Sequence, residues 1–238
     1  MSYLETINPN YLDLIEPLRT WKILCVEDLK KLSGFEGGAS SFYKAITKLE
    51  KAKLIEGFAD SFTNQKYLYL KEHGFLSLGL EKMIPIHSEN RFHDAHLVKL
   101  LLRFKSLSFV QKTLLDHEIK KEFPLLKHLP DALIVGKKKE EFRLAIELEL
   151  HQKSKERIRE TFETYEASPF FNNVLYFFQR ATPFKTYQEV LKEMPTVKNK
   201  DRYIFVFEPK LTLKTYELLH SKSCFKGEET TLQEIFSL

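Results

Sequence analysis

Residues 40–57, SSFYKAITKLEKAKLIEG, decide how the N-terminal part of the chain is read. Phe42, Ala45, Ile46 and Leu49 recur at the spacing of one helix face, and Ser40 or Ser41 can cap the start of that helix. The opposite side carries Tyr43, Lys44, Thr47, Lys48 and Lys51, a polar and basic strip. The period then changes. Residues 54–57, LIEG, and 66–70, KYLYL, are β-prone runs on either side of the polar segment FADSFTNQ, which spans 58–65. A helix running to about Ala52 and then a hairpin are expected.

Working outward, Tyr11, Leu12, Leu14, Ile15 and Leu18 fall at helical spacing after Asn10, so one helix is expected to about Trp21, kinked by Pro17. A short extended stretch at 22–25 precedes a second helix at 26–32, with Glu27 and Asp28 in its first turn and Ser33-Gly34 at its end. The segment GFEGGAS, 34–40, is the turn into the helix at 40–52. This order of helix, strand, helix, turn, helix, strand, wing, strand, over residues 7–74, resembles the winged helix-turn-helix superfamily. The resemblance implies that Ser41, Tyr43, Lys44, Thr47, Lys48 and Lys51, with Asn64 and Lys66 of the wing, meet double-stranded DNA. The alternative is a helical module whose Lys strip is a solvated face.

Residues 80–91, LEKMIPIHSENR, mix polar residues with Pro85 and read as a linker between a first domain, 1–79, and a second, 92–238. The second opens on an apolar helix with Leu97, Leu100, Leu101 and Phe104 in phase; His93 and His96 near its start read as surface or capping residues rather than a metal pair. Asp131 then opens a short apolar strand, DALIVG (131–136), after Pro130, and the strand at 142–150 alternates strictly, with Phe142, Leu144, Ile146, Leu148 and Leu150 on one face and Arg143, Ala145, Glu147 and Glu149 on the other. Glu147 and Glu149 therefore share a face, beside Asp131. A charged helix at 154–167, buried strands at 174–178 and 203–207, and a helix near 187–194 complete the pattern.

That topology, with Pro130-Asp131 and Glu147-Leu148-Glu149, resembles the PD-(D/E)xK nuclease-like fold. The resemblance implies Mg²⁺ or Mn²⁺ held by Asp131 and Glu147, with Glu118 as an additional acidic ligand and Glu149 as a further acid. The Lys usual two residues after the second acid is replaced by Glu149, so Lys153 or Lys155 is the candidate cation. The alternative is a solvated acidic strand face neutralised by Lys137, Lys138, Lys139 or Lys153.

Composition sets the outer limits. The chain has 238 residues, long enough for two modest cores, and its 20 Phe and 10 Tyr suggest cores built from rings. No apolar run approaches the roughly 20 residues that cross a bilayer, and the first residues carry neither a basic stretch nor an apolar signal core, so a cytoplasmic protein without membrane contact is expected. Cys25 and Cys224 lack metal-site spacing. A formal charge of +4 is compatible with a polyanionic partner and decides nothing alone.

Taken together, FHDAHLVKLLLRF (92–104), DHEIKKEF (116–123), LPDALIV (129–135) and AIELELHQKSKERIRETFETY (145–165) resemble the replication-relaxation family, found mainly on plasmids and other mobile elements. The resemblance marks His93, Glu118, Asp131, Glu147, Glu149, Lys153, Ser154 and Tyr165. His151 departs from the pattern. The expectation is an α+β protein: an N-terminal winged helix-turn-helix followed by an α/β restriction-endonuclease-like domain. Its expected role is DNA binding in replication, mobilisation or its regulation, as a homodimer, with a relaxase or replication initiator as partner. The competing readings are a Mg²⁺-dependent endonuclease or nickase using Asp131, Glu147, Glu149 and Lys153, and a transcriptional repressor.

Overall fold

The computed structural model describes residues 10–60, 63–80, 86–211 and 216–237. Residues 81–85 of the expected linker, 61 and 62 of the expected wing, and 7–9 of the first module lie outside the described residues. The chain is a mixed α+β protein and divides into two compact units, Met1–Lys99 and Leu100–Leu238. The division falls inside a helix at Arg91–Lys105, beyond the segment 80–91 read as a linker.

The first unit runs α1 (Asn10–Ile15), α2 (Pro17–Trp21), β1 (Ile23–Cys25), α3 (Val26–Leu32), α4 (Ala39–Lys51), β2 (Ile55–Ala59), β3 (Lys66–Leu70) and α5 (Glu72–Ser77), and then enters α6 (Arg91–Lys105). The single helix expected over 10–21 is two helices, because Pro17 has no N–H to give and takes the first position of α2. The cap of α4 is Gly38 rather than Ser40 or Ser41; Ser41 instead donates its hydroxyl back to the Gly38 carbonyl at 2.7 Å. Leu14, Leu18, Trp21, Leu29, Phe42, Ile46, Leu49 and Leu68 form the buried interior.

The three strands are antiparallel in the order β1-β3-β2, with Leu24 opposite Leu68 and Gly57 opposite the same residue on the other side. Asn64, at φ 53°, turns the chain at the end of the β2–β3 hairpin. The sequence offered no sign of α5. Its Gly74 is pressed so close to the chain at Leu54 that a Cβ would sit 2.1 Å from the Leu54 carbonyl oxygen, so glycine here serves close packing, not helix termination.

The second unit continues α6 and adds β4 (Val110–Leu115), α7 (Asp116–Glu122), β5 (Ala132–Lys137), β6 (Glu141–Glu149), α8 (Lys155–Glu166), β7 (Asn173–Phe178), α9 (Ala181–Glu193), β8 (Tyr203–Phe207), β9 (Lys222–Phe225), β10 (Glu228–Thr231) and α10 (Leu232–Ser237). Its seven strands lie in the order β10-β9-β8-β7-β6-β5-β4. β6, β7 and β8 are parallel, joined through α8 and α9, and the outer pairs are antiparallel.

One face, with Leu133, Ala145, Val174, Tyr176, Phe178, Tyr203 and Phe205, packs on Ile158, Phe162 and Tyr165 of α8 and on Phe184, Tyr187 and Val190 of α9. On the other, Phe177 meets Phe104 of α6 edge to face at 6.0 Å. Both faces of β6 are covered, so its alternation does not mark a wet side: Glu147 is 5% and Glu149 3% exposed. No helix among the described residues is long and apolar enough to cross a membrane.

Candidate functional site

The pairing of β5 with β6 sets Ala132 opposite Ile146, which brings the preceding residue, Asp131, beside Glu147. Asp131 Oδ2 accepts the Leu148 amide at 2.8 Å, so the residue is locked to the strand that carries the glutamates. Glu147 is enclosed from the α8 side. Tyr165 Oη donates to its Oε1, and His128 Nε2 stands 3.4 Å from the same oxygen. The two rings meet edge to face with centroids 4.7 Å apart. Lys153, in the segment before α8, donates to Glu149 Oε1 at 2.6 Å, and its charge acts on Glu147 and Asp131 as well.

Electrostatics separate these groups. Burial pushes the Glu147 carboxyl above its ordinary value and Asp131 adds to the rise, against the opposing hydrogen bonds from His128 and Tyr165 and the charge of Lys153. Burial works against the Lys153 ammonium, yet Glu149, Glu147 and Asp131 outweigh it and raise its pKa. The phenols of Tyr165, Tyr176 and Tyr187 are all pushed up, first by burial and then by these carboxylates. The Tyr176 and Tyr187 hydroxyls are buried without a hydrogen bond of good geometry; Tyr187 nonetheless lies close enough to Glu149 to feel its charge strongly.

One consequence is measurable. The folded chain binds a proton at Glu147 more tightly than the unfolded chain, so stability falls as pH rises from the ordinary carboxylate value of 4.5 through the raised value, and is flat above it. Glu147→Gln is expected to remove that slope and to raise the melting temperature relative to the unsubstituted protein on the alkaline side of it, as followed by circular dichroism over a pH series.

The other expected residues fall elsewhere. Glu118 reaches back over the first turn of α7, its Oε2 accepting the Leu115 amide at 3.0 Å, and it is not among the principal groups acting on Glu147. Lys155 is exposed at the first position of α8, after Ser154, which caps the helix through the Arg157 amide. His93 lies 3.6 Å from Asp94, whereas His96 is buried with neither ring nitrogen hydrogen-bonded and is held down to about 4 by that burial. Among the described residues, no three His, Cys, Asp or Glu side chains are gathered as ready ligands for a metal ion.

In the first unit, Ser41, Tyr43, Lys44, Thr47, Lys48 and Lys51 are all exposed on the outer side of α4, Tyr43 to 51%. Most of them line a shallow hollow of about 540 Å³ together with Ser40 and, from α1, Tyr11. The Lys48 ammonium lies 5.7 Å over the Tyr11 ring. Lys66, by contrast, is engaged by Glu50 at 2.6 Å, tying β3 to the end of α4, and Asn64 sits exposed at the hairpin turn.

His128, Tyr176, Tyr187 and Tyr11 did not stand out in the sequence. Each acquires its neighbourhood from pairing or packing at a distance, as Tyr176 does by standing opposite Glu147 in the parallel β6–β7 register. No family model, curated protein or solved structure matches the chain, and its two candidate sites are read from their own geometry.

Proposed function

We propose that this chain binds double-stranded DNA through the outer face of α4, the reading helix of a winged helix-turn-helix with α3 before it and the β2–β3 hairpin as wing. One observation carries the reading: five side chains suited to phosphates and base edges, Ser41, Tyr43, Lys44, Thr47 and Lys48, are exposed together on one helix face. The order α6, β4, α7, β5, β6, α8, β7, with three antiparallel strands followed by a parallel one, supports reading the second unit as nuclease-like. The resemblance to replication-relaxation proteins supports a role in replication or mobilisation of a plasmid or other mobile element, as a homodimer working with a relaxase or replication initiator. The test is a fluorescence anisotropy titration of the full chain against a labelled duplex over a salt series. Affinity that falls steeply with salt is the expected result; absence of salt-sensitive binding sinks the reading.

A second reading, metal-dependent cleavage of the bound DNA, is favoured by Lys153. The cation missing at position 149 is supplied from outside the strand, 2.6 Å from Glu149 and acting on both other acids. The donor set suits Mg²⁺ or Mn²⁺, which take one or two carboxylates and keep several waters. Asp131 and Glu147 repel each other in a buried setting, and a dication would relieve that repulsion. Asp131 and Glu147 would hold the ion, which supplies Lewis-acid charge at a phosphodiester; Lys153 presents its ammonium to a phosphate oxygen. Supercoiled plasmid nicked with Mn²⁺ by the unsubstituted chain and left intact by Asp131→Ala is the expected result. Intact plasmid under conditions of demonstrated binding leaves a DNA-binding protein without this activity.

A further inference from the structure

The Glu147 carboxylate is held in an unusual way. Tyr165 and His128 both contact the same oxygen, Oε1, which leaves Oε2 for a different partner. The two contacting groups are themselves fixed. The His128 ring packs on the Tyr165 ring at an interplanar angle of 85°, and the Tyr165 backbone is pinned because its carbonyl accepts Arg202 Nη1 at 2.6 Å. Tyr165 is wholly buried, so its hydroxyl cannot turn to water. Opposite Glu147, the fully buried Tyr176 hydroxyl feels the charge of Glu147 and Glu149 and has no hydrogen-bond partner, a second buried polar group beside the carboxylate that calls for one.

We propose that His128 and Tyr165 are positioning residues: together they clamp Oε1 of Glu147 so that Oε2, with Asp131, is presented to a divalent cation. The proposal rests on the metal-dependent reading of Asp131 and Glu147. A carboxylate clamped on one oxygen loses its rotational freedom before the ion arrives, and groups that orient a ligand in this way typically change metal affinity by about 10- to 100-fold when removed.

The probe is Mn²⁺ alone, with free ion measured by electron paramagnetic resonance against the full chain at one fixed pH, without DNA. The unsubstituted protein is expected to bind one Mn²⁺, and Asp131→Asn to abolish that binding. Tyr165→Phe, which keeps the ring and removes only the hydroxyl, and His128→Ala are each expected to weaken it about 10- to 100-fold. His128→Gln, whose amide nitrogen reaches the place of Nε2, is expected to recover most of the loss, which repair of packing alone would not do. Binding that is absent, or indifferent to Asp131→Asn, overturns the metal reading and the clamp with it. Binding that needs Asp131 but is unchanged in Tyr165→Phe and His128→Ala overturns the clamp alone. A His128→Ala loss that His128→Gln does not recover overturns the role of Nε2.

Discussion

The Lys44→Glu, Lys48→Glu double variant is expected to lose duplex binding by roughly a hundredfold at about 0.1 M salt, with the slope of log affinity against log salt reduced by about 2. Both ammonium groups stand exposed on the outer side of α4, one turn apart, and both line the hollow that Tyr43 and Thr47 share. Each lysine that meets a phosphate releases about one counterion, which is why the slope and the affinity should change together. Reversal, unlike removal, also sets two negative charges against the phosphates.

The fold should survive the change, because the buried face of α4 is formed by Phe42, Ala45, Ile46 and Leu49 and none of the substituted side chains contributes to it. A charge-matched control, Lys120→Glu with Lys121→Glu in the last turn of α7, makes the same change in net charge at exposed positions of the second unit. It is expected to bind duplex within a fewfold of the unsubstituted chain. Equal losses in the two variants would mean that overall charge, and not the α4 face, governs binding. Lys66→Glu should cost less than either α4 lysine, since Glu50 already engages that ammonium.

How much of this was legible depended on whether a signal was local. The helical period of Phe42 to Leu49 and the alternation along Phe142 to Leu148 are properties of short windows, and α4 and β6 lie where those windows point. The juxtaposition of Asp131 with Glu147 was also within reach, because adjacent antiparallel strands are set by a short turn. What surrounds the acids was not. α8 and α9 cover them through crossover connections, and only the parallel register brings Tyr176 opposite Glu147.

Residues 109–119 carry no single period, for a different reason. Leu114 and Leu115 end β4, and Leu115 is also the cap residue of α7, so an extended and a helical pattern meet without a break. The β9–β10 hairpin was hidden by polar composition; its turn requires left-handed backbone at both Lys226 (φ 55°) and Gly227 (φ 81°), and only the glycine announces that. The charged segment before α8 carried the opposite lesson. Lys153 is a candidate from its position alone, but its closeness to Glu149 depends on how the chain leaves β6.

Arg202→Leu is expected to destabilise the second unit by about 4 kcal/mol, the largest loss from any single substitution considered. The side chain is 7% exposed and stands just ahead of β8, where its guanidinium donates to three carbonyls: Tyr165 at 2.6 Å through Nη1, and Ser168 and Phe171, each at 2.5 Å, through Nη2; the Tyr165 carbonyl also accepts the Ser168 amide at 3.0 Å. These oxygens belong to the last turn of α8 and the loop after it. Unsatisfied carbonyls at a helix end attract a cation, and a planar fork reaches several of them where one ammonium cannot.

Leucine restores the buried volume but leaves the Ser168 and Phe171 oxygens without the guanidinium, at a cost of about 1–3 kcal/mol each before relaxation, and the Tyr165 oxygen with the Ser168 amide alone. Arg202→Lys should recover only part of the loss. The neighbouring Tyr203 hydroxyl, which donates to the Phe162 carbonyl at 3.0 Å, holds the same helix one turn earlier, so α8 should loosen from its C-terminal end without dissociating from the sheet. That end carries Tyr165, and its Oη is the donor to Glu147. Arg202→Leu should therefore lower the melting temperature by roughly 10 °C and raise amide exchange in the last turn of α8 before the rest of the helix. A loss under about 1 kcal/mol, with exchange unchanged at residues 163–168, would mean that water replaces the guanidinium and that the α8 terminus does not depend on Arg202.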